Sequence, residues 1–104
     1  MGSVIREVAQ RADVRLREAG GLLLVSAADA PAFLEACLAA RCQILGIEGF
    51  DIVDGGVRPD MEVIADFSEL ADAEQSVAEA RAFLATIDDT ELAFDFTIAD
   101  NGGD

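Results

Sequence analysis

Residues 44–67 read ILGIEGFDIVDGGVRPDMEVIADF, and this stretch decides the fold. Two apolar, β-branched runs flank Asp54-Gly55-Gly56, whose glycines accept the positive φ that a tight hairpin needs. The first run, Ile44 to Val53, is interrupted by Gly46 and Gly49, which mark a bulge or bend inside a strand. In the second, Val57 to Phe67, Pro59 stands near the start. Met61, Val63, Ala65 and Phe67 then alternate with Glu62, Ile64 and Asp66. A period of two belongs to a strand with one buried face, so a β-hairpin is expected here.

On the N-terminal side, Leu22 to Val25 is a short continuous apolar run, the pattern of a strand buried on both faces. Asp29 suits a helix N-cap and Pro31 its first turn, and Phe33, Leu34, Cys37 and Leu38 give a helical face over about 30–42. On the C-terminal side, Ser68 or Asp72 caps a helix with Val77, Ala80, Phe83, Leu84 and Ile87 on its apolar face. Asp72 followed by Gln75 resembles a capping box. Asp88-Asp89-Thr90 reads as a turn. Leu92, Phe94, Phe96 and Ile98 then alternate with Ala93, Asp95, Thr97 and Ala99 in a final strand, and residues 100–104 read as a frayed tail.

Strand, helix, strand, strand, helix, strand with short connections fits a ferredoxin-like βαββαβ sandwich. This is an α+β fold with a four-stranded, mainly antiparallel sheet and two helices on one face. Residues 1–20 precede it. Ile5, Val8, Ala12, Leu16 and Ala19 recur every three or four positions, which favours an amphipathic, Arg-bearing helix ended by Gly20-Gly21. Val14 and Leu16 alternating with Arg15 and Arg17 also fit a strand that turns at the same glycines into Leu22. As an additional N-terminal helix, the segment is expected over the open sheet face or against a second subunit. No repeat or linker divides the 104 residues, so one domain is expected, with 21–99 as its core.

Charge narrows the function classes. Seven Arg and no Lys face 21 acids, for a net charge of −14. Residues 1–20 carry four of the Arg against three acids, while the remainder carries three Arg against 18 acids. Such a body repels phosphate backbones and anionic membrane surfaces, which argues against direct nucleic-acid or membrane binding. No apolar run reaches the roughly 20 residues a membrane span needs, and no signal-peptide core follows Met1, so a cytoplasmic location is expected. Cys37 and Cys42, five apart on one inferred helix, point in different directions and are expected to stay reduced.

The absent residue types exclude more. Without His there is no Ser-His-Asp triad and no Cys-His pair. Without Lys there is neither a Schiff base nor a phosphate-binding P-loop. Two Cys without His fall short of a zinc ligand set, and no cofactor motif is present. Gly46, Gly49, Gly55 and Gly56 fall in strands and a turn rather than at a helix start, so they do not form a dinucleotide fingerprint.

What remains is a concentration of carboxylates on the hairpin. Glu48, Asp51, Asp54, Asp60, Glu62 and Asp66 form the candidate acidic face, and Glu62 and Asp66 share one side of their strand. Asp95 joins them if the last strand turns its polar side the same way. Phe50, beside this cluster, is the candidate exposed anchor; the other Phe residues read as core. Three functions fit. The first is a non-enzymatic acidic protein-binding module, of the inhibitor or immunity type, for a basic protein partner. The second is a small-ligand-sensing or regulatory domain acting as a homodimer. The third is a carboxylate or divalent-metal-dependent enzyme. An acidic field also keeps a protein soluble without any partner.

Overall fold

A computed structural model describes residues 4–53, 56–67, 69, 72–87 and 91–100. The element order is α1 (Val4–Arg11), β1 (Arg17–Ala19), β2 (Leu22–Ser26), α2 (Ala30–Ala39), β3 (Cys42–Val53), β4 (Gly56–Asp66), α3 (Ala73–Ala85) and β5 (Ala93–Asp100). The expected hairpin is β3–β4, paired from Val53 opposite Gly56 down to Gly46 opposite Asp66. The turn residues 54–55, Ser68, the segment 88–90 and the tail from 101 onward lie outside the described residues.

The N-terminal segment departs from the single helix favoured by its apolar spacing. α1 stops at Arg11. Asp13 takes a left-handed φ of 57°, its N–H donates to Gln10 O at 3.2 Å, and the Val14 N–H donates to Ala9 O at 2.8 Å. These are the two bonds of a Schellman C-cap, with buried Val14 supplying the apolar contact that accompanies it. The chain then re-enters as β1, and Gly20 and Gly21, both at positive φ, turn it into β2. The hairpin alternative for these residues is the one the structure adopts.

That hairpin also overturns the ferredoxin-like arrangement. The sheet has five strands in the order β1-β2-β5-β3-β4, each neighbouring pair antiparallel. In a ferredoxin-like sheet the strand before the first long helix is interior, flanked by the third and last strands of the repeat. Here β1 occupies one edge of β2, so β2 has only one edge left, and β5 takes it. β5 therefore inserts between β2 and β3. The α+β class and the antiparallel sheet stand; the strand order does not.

All three helices cover one face of the sheet. Val8 and Ala9 of α1, Phe33, Leu34 and Cys37 of α2, and Val77 and Ala80 of α3 share a core with Val25, Ile44, Ile47, Phe94 and Phe96. The Phe33 and Phe96 rings lie 4.8 Å apart at the centre of this layer. α1 packs within this core, against α2 and β5, and not over the opposite face. The capping reading of α3 holds at Asp72, whose carboxylate accepts the Gln75 N–H at 2.8 Å. Asp29 precedes α2, but its carboxylate accepts from the Ser26 hydroxyl at 3.1 Å and makes no cap bond. Cys42 is not on a helix; it opens β3, and both cysteines are buried and outside any disulfide.

The opposite face is covered only in part. Leu24, Phe50 and Ala93 are buried there against Ala19, Leu22, Ile52 and Val57. A methyl group on Gly20 would come within 2.7 Å of Val57 Cγ2. The tip of the β1–β2 hairpin thus meets the β4 end of the same sheet, and the sheet curls over these side chains. β3 bends to allow it, with register shifts between Ile44 and Gly46 against β5 and between Glu48 and Gly49 against β4.

Candidate functional site: the uncurled half of the sheet face

Below the curled half, the same face is not roofed. Side chains directly across a ladder share a face, so register assigns its members. Glu48 of β3 stands opposite Asp95 of β5 on one side and Ile64 of β4 on the other. One step along, Gly46 lies between Thr97 and Asp66. Glu48, Asp66 and Thr97 are exposed, Asp95 is half-buried, and Ile64 is 46% exposed, the most open large apolar side chain among the described residues.

Two carboxylates directly opposite across strands repel. Burial pushes the Asp95 carboxyl above the ordinary aspartate range, and the negative charge of Glu48 adds to the rise. Among the described residues, the ion pairs are Arg6–Glu18, Arg58–Asp51 and Arg81–Glu35. None of these arginines neutralises Glu48 or Asp95. The face therefore combines an exposed apolar side chain with a half-buried Asp95 and an exposed Glu48, neither in an ion pair among the described residues.

The acids read together from sequence divide in the fold. Glu48 and Asp66 lie on this face, and Asp95 joins them. Asp51 points the other way and pairs with Arg58 at 3.5 Å. Asp60, opposite Gly49, belongs by register with Asp51. Asp54 and the Glu62 side chain lie outside the described residues. Phe50 is not an exposed anchor: it is 7% exposed, because the curl of the sheet closes Leu24 and Ala93 around its ring. The exposed apolar group is Ile64 instead. The alternation that sets it with Glu62 and Asp66, opposite Val63 and Ala65, already placed it on the polar side of its strand; its apolar character kept it out of the acidic candidates.

The sheet edges are poor templates for an added strand. β1 has three residues. β4 carries Pro59, which has no N–H to donate, and its pairing jumps from Asp60 opposite Gly49 to Ile64 opposite Glu48. Bulges, prolines and charges are the devices by which edges avoid further pairing, so neither edge suits the addition of a further strand.

Two hollows among the described residues lie away from this region. One, of about 360 Å³, is apolar and lies where α2 begins and α3 ends, with Arg81 on its rim already paired with Glu35. The other, of about 430 Å³, is polar and opens at the far end of the curled half. Among the described residues no three carboxylates or thiols converge to hold a metal ion, and no helix is long and apolar enough to cross a membrane. No family model matches the chain, and neither does any curated protein or solved structure.

Proposed function

We propose that the chain is a non-enzymatic binding module for a basic protein, of the inhibitor or immunity type, and that it docks through the face bearing Glu48, Asp95, Asp66 and Ile64. The observation that carries this reading is the Glu48–Asp95 pair. The fold sets a half-buried Asp95 directly across the ladder from a like-charged, exposed Glu48, beside an exposed isoleucine. A cationic group set between the two carboxylates would relieve that repulsion, and an apolar contact on Ile64 would exclude water from the new ion pairs. A partner that itself works on polyanions has the basic surface to match. The strong negative field of the whole chain would speed association and make it fall with salt.

The test is capture from source-cell extract on immobilised wild-type chain, followed by binding measurements on the purified captured protein. A basic protein is expected, bound less tightly as salt rises and lost with the double variant Glu48→Gln, Asp95→Asn. Binding that is indifferent both to salt and to this double variant overturns the proposal.

A further inference from the structure

The polar hollow of about 430 Å³ opens where β2 ends, β5 begins and the β3–β4 arm rises beside them. Its charged walls come from Arg17, Arg58, Asp51 and Glu91, and Ser26 and Ala93 also line it. Arg17 stands opposite Leu24, so it shares the curled face with Ser26, two residues further along β2 and opposite Ala93. Arg58 is tied to Asp51. Arg17 forms no ion pair among the described residues, although the chain holds three times as many acids as arginines.

The wall chemistry selects the ligand. A simple anion drawn to Arg17 would meet Asp51 and Glu91, and a simple cation drawn to those acids would meet Arg17. A molecule with a carboxylate and an ammonium group a few ångströms apart satisfies both. Ser26 fits the second group: its O–H donates to Asp29 and its oxygen accepts the Asp29 N–H at 3.3 Å, which leaves one lone pair to accept from an ammonium. The volume lies in the range of small-molecule sites. We infer that this mouth binds a free α-amino acid zwitterion, its carboxylate on Arg17 and its ammonium toward Ser26, Asp51 and Glu91. The site lies on the curled half of the sheet face, apart from the Glu48–Asp95 half, and stands whether or not that half binds a protein.

The test is a titration of the ¹⁵N-labelled chain with each standard amino acid at millimolar concentration, read at the amides of Arg17, Ser26 and Ala93. At least one is expected to move these signals saturably. Its N-acetylated form and its carboxamide form should each bind at least about tenfold more weakly, as should the Arg17→Gln variant with the parent amino acid. If no amino acid shifts these amides, the inference fails. It fails equally if the blocked forms bind as well as the parent, or if Arg17→Gln leaves the affinity unchanged while the chain remains folded.

Discussion

The Ser76 hydroxyl accepts the backbone N–H of Ile44 at 3.0 Å and donates to Ala73 O at 2.9 Å, joining α3 to β3 across 32 residues of sequence. Ser76 is fully buried and sits where β3 slips its register against β5. A strand that bulges leaves a backbone group unpaired, and here the hydroxyl satisfies it. Ser76→Ala strands a buried N–H and is expected to lower stability by about 1–3 kcal/mol in urea unfolding. An unchanged midpoint would show that the N–H finds water instead.

Asp95 carries a pH dependence of defined sign. Its folded pKa is raised, so the folded chain holds this proton more tightly than the unfolded one. Stability from this group is therefore fully present below the ordinary aspartate range, and it is lost as pH rises through the raised value. Asp95→Asn keeps the shape and removes the charge. At neutral pH the variant should be more stable than wild type by a few tenths to about 1 kcal/mol, with the difference vanishing in acid. Urea midpoints across the acid-to-neutral range check this, and a wild type that is the more stable at neutral pH contradicts it.

Part of the fold was legible in the sequence, and the part that was not has a physical cause. Alternation and turn residues are local signals, so the β3–β4 hairpin, the last strand and the Asp72 cap could be read directly. Strand order depends on which edge of β2 is free, and residues 17–19 decide that through pairing. Asp13 hides the end of α1, because a left-handed cap is expected at glycine and not at aspartate. On the acidic face, the odd spacing between Glu48 and Asp51 already separates those two. The burial of Phe50 follows from the curl of the whole sheet, which no local pattern reports.

Gly20 is the contact on which that curl closes. Its φ of +57° disfavours any side chain, and a methyl group would meet Val57. Gly20→Ala should cost about 2 kcal/mol, from backbone strain together with steric overlap. Adding Val57→Ala removes the overlap but not the strain. The double variant should therefore recover part of the loss relative to the sum of the two single variants, and strict additivity in thermal unfolding would show that hairpin tip and arm are not in contact.

Arg41 holds the other left-handed turn, at φ 57°, directly between the end of α2 and the start of β3. Its N–H donates to Leu38 O at 3.1 Å, which closes the helix and aims Cys42 into the core. Glycine adopts this conformation without the clash between Cβ and carbonyl that an arginine side chain incurs. It also gives the unfolded chain more freedom, which offsets part of the gain. Arg41 is exposed and forms no ion pair among the described residues, so no charge interaction opposes the change. Arg41→Gly should stabilise the fold by about 0.5–1 kcal/mol in urea unfolding. Cys37, whose thiol burial and the neighbouring Cys42 push up to about 12, should stay equally slow toward a thiol reagent at neutral pH in both proteins. A destabilised variant with faster thiol labelling would mean that the arginine stem, and not the backbone turn, seals this end of the core.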